Sequence, residues 1–193
     1  MNGRIALVLA LFALVAVAGC GGSSHAPPTT TTQSAGLSTF QNGFLTFRYP
    51  QAWRTLRFTN SGELHFSPMV YLSTQPGHNP CHRSGLAIVC NWPVDRLLPS
   101  GVIAKWENRG FPGWTLATET GTRVRVGGRP AKEQTARPGE CRTIGADETV
   151  SVQIARPVQY NWTDFTACLR GPNLPDQERQ IRAVLASTRF LQP

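Results

Sequence analysis

Thiol groups supply the most specific chemistry in this sequence. Apart from Cys20, the chain contains an even set of cysteines: Cys81, Cys90, Cys141 and Cys168. In an exported protein such a set predicts two disulfides. Three pairings are open, and we favour Cys81–Cys90 with Cys141–Cys168 because each joins neighbouring cysteines along the chain.

A zinc site is the competing interpretation of one of these pairs. His78, Cys81, His82 and Cys90 place two imidazoles and two thiols in a short stretch, and both groups bind zinc. Their spacing matches no closed structural zinc site, and an oxidising compartment would convert the thiols to a disulfide. We therefore predict neither a metal nor a cofactor.

No pattern specifies a catalytic residue. A serine triad needs an activated serine with a histidine and an acid, and the chain has no G-x-S-x-G motif. His65 is predicted to face solvent on a strand, and Glu140, Asp147 and Glu148 are predicted to be solvated in a turn-rich segment. The leading hypothesis is a non-catalytic protein. The alternative is an extracytoplasmic, hydrolase-like enzyme whose site is assembled from dispersed residues.

Basic residues suggest a class of binding partner. The chain has 19 Lys and Arg against 11 Asp and Glu, a net charge of +8. Arg123, Arg125 and Arg129 are predicted to line one face of a strand and its turn. Such a surface attracts anionic lipid headgroups or wall polymers at a membrane, while general arginine usage in a GC-rich genome would scatter the same charges without function. Nucleic acid is not a predicted partner, because the protein is predicted to lie outside the cell membrane.

An aromatic segment offers a second candidate surface. Trp106, Phe111 and Trp114 surround a loop rich in Gly and Pro that also carries Arg109. The loop could contact an envelope protein or a sugar, or it could pack at the edge of the core. The candidate binding residues are Arg109, Trp114, Arg123 and Arg125.

Alternating apolar and polar residues indicate several antiparallel strands. Examples are the segments 45–49, 102–106, 122–126 and 150–155, and Gly127-Gly128 is predicted to form a turn. A helix is predicted from Pro175 to Thr188, because Ile181, Val184 and Leu185 recur at helical spacing. A second helix is placed between Val94 and Leu98.

The N-terminus indicates export and a lipid anchor. Residues 1–19 carry Arg4 and an apolar run too short to span a bilayer, which is typical of a signal peptide. The run ends Leu14-Val15-Ala16-Val17-Ala18-Gly19-Cys20, which resembles the lipobox of bacterial lipoproteins. The resemblance implies that Cys20 is acylated, with palmitate-type chains, and becomes the first mature residue. Residues 20–39 are predicted to be a lipidated cysteine and flexible linker, and 40–193 a single domain at the extracytoplasmic face of the cell membrane.

The start and end of the domain resemble a known family. Phe47-Arg48-Tyr49-Pro50-Gln51-Ala52-Trp53 resembles the F-x-Y-P-x-x-W opening of Mog1/PsbP-like domains, and Ser187-Thr188-Arg189-Phe190 resembles their S-x-x-F ending. Many actinobacterial lipoproteins share this plan. The predicted strands and terminal helix indicate an α+β fold, and the resemblance implies a central antiparallel β-sheet flanked by helices. It implies no functional residue, since members of one fold differ in function.

Overall fold

Strands make up most of the described chain. The computed structural model describes residues 36–58, 66–85, 87–158 and 161–191, all within a compact unit spanning Ser34–Pro193. The predicted signal segment 1–19, Cys20, the linker as far as residue 35 and His65 lie outside the described residues. The strands are β1 (Leu37–Gln41), β2 (Leu45–Pro50), β3 (Arg54–Leu56), β4 (Phe66–Ser73), β5 (Cys81–Ser84), β6 (Ala87–Cys90), β7 (Val102–Gly110), β8 (Thr122–Val126), β9 (Arg129–Ala136), β10 (Glu148–Ala155), β11 (Asn161–Leu169) and β12 (Arg189–Phe190).

The strands form three antiparallel sheets. The largest has seven strands in the order β3-β4-β7-β11-β10-β9-β8, so β8 and β3 are its edges. A three-stranded sheet has the order β1-β2-β12, and β5 pairs with β6 as a separate hairpin. The predicted strands in the segments 45–49, 102–106, 122–126 and 150–155 are confirmed.

The predicted fold class is wrong. The described residues contain a single α-helix, α1 (Leu174–Ser187), and a short 3₁₀ helix at Gly139–Ile144, so the fold is β-rich and not a sheet flanked by helices. The helix predicted between Val94 and Leu98 is a loop in the structure. That segment is short and lies between two prolines, and so few residues do not offset the cost of nucleating a helix.

The main core lies on one face of the seven-stranded sheet. Successive residues of a strand point to opposite faces, and Trp106 of β7 lies directly opposite Phe165 of β11. Their rings are 4.7 Å apart between centroids. Ile181 and Val184 of α1 and Phe47 of β2 belong to the same buried cluster. The predicted helix is thus confirmed, and it and the three-stranded sheet cover this face.

A smaller core occupies one end of the opposite face. Ile103 and Cys168 are buried there together with Val94 and Leu97 of the loop that was predicted to be helical. Apolar burial therefore explains the pattern that suggested a helix. Val94 and Leu97 are buried, but the backbone that carries them is irregular.

Two disulfides are present, in the favoured pairing. Cys81 and Cys90 face each other across β5 and β6, with their Cα atoms 4.0 Å apart. Cys141 of the 3₁₀ helix joins Cys168 of β11 across 5.5 Å between Cα atoms, and both residues are fully buried. The zinc interpretation loses both of its thiols, because Cys81 and Cys90 are bonded to each other.

The first strand begins before the predicted domain boundary. β1 starts at Leu37, inside the segment predicted as linker, and Phe40 of the same strand is buried against Phe47.

Along the described stretches, none of the helices has both the length and the apolar character needed to cross a bilayer.

Candidate functional site

The four candidate binding residues lie in two separate regions. Arg109 belongs to β7 and Trp114 to the loop that follows it, whereas Arg123 and Arg125 belong to the edge strand β8. The first region is a cluster of ion pairs on the sheet face opposite the main core. The second is an exposed basic surface around β8. The structure does not bring the four side chains together.

The ion-pair cluster consists of Lys105, Glu107, Arg109 and Asp164. The first three are alternate residues of β7, so they share one face of the sheet, and Asp164 of β11 is directly opposite Glu107. Arg109 Nη2 is 2.7 Å from Glu107 Oε2, and Arg109 Nε is 2.6 Å from Asp164 Oδ2. Lys105 Nζ is 3.3 Å from Glu107 Oε2. Two cations therefore balance two carboxylates.

Asp164 is the titratable group of greatest interest in this cluster. Burial raises its pKa to about 6, although Arg109 and the Trp162 hydrogen bond act in the opposite direction. Trp162 Nε1 donates to Asp164 Oδ1 at 2.8 Å. A general acid or base needs an oxygen within reach of a substrate, and both oxygens of Asp164 are engaged by protein groups. This arrangement favours a role in stability over proton transfer to a ligand.

Trp114 is half-buried and packs against the protein surface. Its ring stacks on Trp162 at 4.5 Å between centroids, and its Nε1 donates to Glu119 Oε1 at 2.7 Å. Of the two interpretations of the aromatic loop, the structure favours packing for Trp114. Phe111 is the aromatic that the loop exposes, with 61% of its surface accessible.

Arg129 does not share a face with Arg123 and Arg125, contrary to the prediction. In the β8–β9 pairing Arg129 is opposite Val126, which is buried in the main core, whereas Arg123 and Arg125 point the other way. The Arg129 guanidinium lies 4.1 Å from the Phe190 ring centroid. Burial lowers the pKa of Arg129, and the nearby Arg156 lowers it further. Gly127 and Gly128 form the predicted turn, which explains the error: the turn reverses the chain between the two groups.

Exposed arginines from three strands line a groove of about 1010 Å³. They are Arg48 of β2, Arg125 of β8 and Arg189 of β12. We call this feature the arginine groove. Its walls are completed by residues from the end of α1, from β12 and from the β8–β9 turn: Gly127, Gly128, Leu185, Ala186, Ser187, Thr188, Phe190 and Leu191.

Local contacts position the walls of the groove. Ser187 Oγ accepts a hydrogen bond from the Arg48 backbone N–H at 2.9 Å, which ties the end of α1 to β2. Arg125 Nη1 donates to the Gly128 carbonyl oxygen at 2.8 Å. Gly127 adopts a φ of 55°, and a Cβ added there would lie 2.8 Å from Phe190 Cδ2. The turn can approach β12 this closely because it has glycine at that position.

The groove presents positive charge without internal compensation. Among the residues that the structure describes, Arg48, Arg125 and Arg189 have no carboxylate within salt-bridge distance, unlike Arg109. Guanidinium groups bind phosphate and carboxylate through paired N–H donors. The groove is therefore chemically suited to an anionic group.

Arg48 and Arg189 were missed by sequence reasoning. They lie at opposite ends of the domain sequence, and each occurs inside a segment whose pattern was used for the family resemblance. A usable signal was present for Arg48, which alternates with the apolar residues Leu45 and Phe47 and therefore had to face outward. No comparable signal marks Arg189.

The prediction that Glu148 is solvated is wrong. Its side chain is fully buried and lies 2.5 Å from Arg137 Nε. Burial raises the pKa of this carboxyl, and the hydrogen bond from Arg137 opposes the rise. Glu148 begins β10 and faces Leu169 of β11, so the strand starts earlier than the turn-rich composition suggests. Asp147 and Glu140 are exposed, as predicted.

The two described histidines, His78 and His82, form no close acid–base pair. His78 Nε2 is 3.8 Å from Asp95 Oδ1, and both side chains are largely exposed. His82 is also exposed, in β5. We assign no catalytic residue here.

Comparison with known proteins adds no family assignment. No protein-family model matches the chain, and no curated protein matches it. The resemblance to Mog1/PsbP-like domains therefore stays a prediction, and the site is interpreted from its own geometry.

Proposed function

We propose that this protein is a non-catalytic binding domain of the bacterial cell envelope that holds an anionic envelope component in the arginine groove. The observation that carries the proposal is the convergence of Arg48, Arg125 and Arg189, all exposed and without a carboxylate partner in the described chain. A cation that has no carboxylate partner keeps its charge available to an anionic ligand, whereas a cation in an ion pair does not.

We also propose that the domain is lipid-anchored through Cys20 on the extracytoplasmic face of the cell membrane. Support comes from the Leu14–Cys20 pattern and from the two disulfides, since such bonds persist in oxidising compartments. A membrane address would bring the groove close to anionic headgroups and wall polymers. Cys20→Ala should release the protein from the membrane fraction or leave it unprocessed, and unchanged acyl labelling of the variant would contradict the anchor.

Binding of fluorescent polyphosphate, a soluble polymer of phosphate groups, tests the groove. The full chain carrying Cys20→Ser is compared with the same chain carrying Arg48→Gln, Arg125→Gln and Arg189→Gln. We expect the triple variant to bind at least about tenfold more weakly, and added salt to reduce the difference by screening.

A matched control removes the same charge elsewhere. Arg54, Arg83 and Arg142 are exposed and lie outside the groove, so Arg54→Gln, Arg83→Gln and Arg142→Gln together should change the affinity by less than about twofold if general attraction is screened. Equal losses in the two triple variants would show that net charge, and not the groove, binds the anion.

A further inference from the structure

A second cavity adjoins the arginine groove. It has a volume of about 360 Å³ and lies between the loop after β7 and the β8–β9 hairpin. Arg125 lines both cavities, so they meet at this residue. The lining residues are Leu116, Ala117, Arg123, Val124, Arg125, Pro130, Ala131 and Lys132. We call it the loop pocket.

The loop that covers the pocket is held by several side chains. Trp114 stacks on Trp162 and donates to Glu119, as described above. Lys132 Nζ donates to the Ala117 carbonyl oxygen at 3.2 Å and also to that of Glu119. Because these contacts fix the loop at both its start and its end, the pocket is a formed feature of the fold.

The lining of the loop pocket is mainly apolar, with cations beside it. Leu116, Val124 and Pro130 supply aliphatic surface, and Arg123 and Arg125 supply positive charge. Arg123 is exposed and has no carboxylate within salt-bridge distance among the described residues. The ammonium group of Lys132 is instead engaged by the loop carbonyls. A matching ligand combines an apolar body with a negative charge.

From this arrangement we infer that the ligand is an anionic amphiphile, whose apolar chain enters the loop pocket while its charged head meets Arg125 and the arginine groove. The inference rests on the proposed function and names the ligand class for it. A volume of 360 Å³ falls within the range of small-molecule sites, about 300–1,000 Å³. Burying an alkyl chain adds affinity that a bare anion lacks.

The experiment compares dodecyl phosphate with inorganic phosphate by isothermal titration, using the full chain with Cys20→Ser and dodecyl phosphate below its micelle concentration. We expect dodecyl phosphate to bind at least about tenfold more tightly, because each buried methylene contributes to binding. The fluorescence of Trp114 and Trp162, which stack under the loop, should change on binding of dodecyl phosphate and not of phosphate.

Two variants test the pocket separately from the groove. Ala117→Trp fills the pocket, and it should abolish the advantage of dodecyl phosphate while leaving phosphate binding unchanged. Leu116→Ser removes apolar lining and should weaken only dodecyl phosphate. Ala183→Trp, at an exposed position on α1, is the control for adding an indole and should change neither affinity.

The outcomes separate the two proposals. If dodecyl phosphate binds no more tightly than phosphate, or if it still binds more tightly to the Ala117→Trp variant, the loop pocket does not hold the alkyl chain. The groove proposal then stands. If Arg48→Gln with Arg189→Gln changes no affinity, the groove proposal itself is wrong.

Vesicles containing phosphatidylglycerol form a third probe. Vesicle binding that depends on Arg48 but not on Ala117 would identify a bilayer surface as the source of the anion and overturn the pocket inference.

Discussion

The ion-pair cluster and the arginine groove use the same side chain in opposite ways. Arg109 lies between two carboxylates on one face of the seven-stranded sheet, and its N–H groups donate to Glu107 and Asp164. Arg48 and Arg189 lie on strand positions that point outward, next to a cavity and without acidic neighbours in the described chain. The comparison teaches that exposure and pairing, and not residue type, separate an arginine that holds a fold from one that can bind a ligand.

Removing the central cation of the ion-pair cluster should have the largest effect on stability. Arg109→Met leaves two carboxylates, of which Glu107 is 4% exposed, without their shared partner. We expect the free energy of unfolding to fall by about 3 kcal/mol, the usual result of breaking a buried pair, as measured by urea denaturation. A loss below about 0.5 kcal/mol would place the cluster in the same class as exposed pairs.

The pH dependence of stability should reveal Asp164. Because burial raises its pKa from 3.8 to about 6, the folded protein holds this proton more tightly than the unfolded chain does. The contribution of Asp164 is therefore complete below pH about 4 and is lost as the pH rises to about 6, by up to about 3 kcal/mol.

Asp164→Asn isolates this effect from that of the other carboxyls. The amide keeps a neutral acceptor for Trp162 at every pH. The free energy of unfolding of the variant, minus that of the wild type, should increase as the pH rises from 4 to 7, as measured by urea denaturation at each pH. If that difference does not change with pH, the folded and unfolded proteins bind the Asp164 proton equally tightly.

Loosening the loop should have a smaller effect. Trp114→Ala removes the stack on Trp162 and the hydrogen bond to Glu119, and we expect a loss of about 1 kcal/mol in the free energy of unfolding. Trp114→Phe should recover part of it by restoring an aromatic ring. Faster proteolysis within the loop of the alanine variant would show that the stack holds the loop closed, and unchanged cleavage would contradict that role.

The arginine groove should show the smallest effect on stability and a large one on binding. Arg48→Gln with Arg189→Gln removes two exposed charges, so the free energy of unfolding should change by less than about 0.5 kcal/mol. Polyphosphate binding should nevertheless weaken several-fold. A variant that loses stability without losing affinity would assign these arginines to the fold and erase the contrast with Arg109.

Local patterns in the sequence predicted most strands of the sheet, but they did not predict which elements cover its faces. The alternation in β8 and β10 and the helical spacing in α1 gave correct elements, because each depends on neighbours in the chain. The helix predicted at 94–98 failed because the spacing of Val94 and Leu97 reflects their burial in the smaller core, while the segment is too short, between two prolines, to form a helix. The α+β class failed because, apart from the terminal helix, neither the helix predicted at 94–98 nor the flanking helices implied by the family resemblance are present among the described residues.

The candidate site was predicted only in part. Arg123 and Arg125 were identified because charge alternates with valine on β8. Arg109 and Trp114 were identified by type, but their partners Asp164 and Trp162 come from β11. The strand register brings Asp164 beside the ion pairs of β7, and the stack of Trp114 on Trp162 is visible only in the folded structure. The groove combines residues from β2, β8 and β12, and nothing in the separate segments indicates that they meet.

The glycine at position 127 has a consequence for how the groove could diverge among related proteins. With no side chain there, the hairpin rests against Phe190, and a single methyl group would push it outward while straining a φ of 55°. The width of the arginine groove thus depends on the absence of one carbon atom at its rim. A homologue that replaces this glycine should have a wider opening and should accept a bulkier charged head, even if all three arginines are retained.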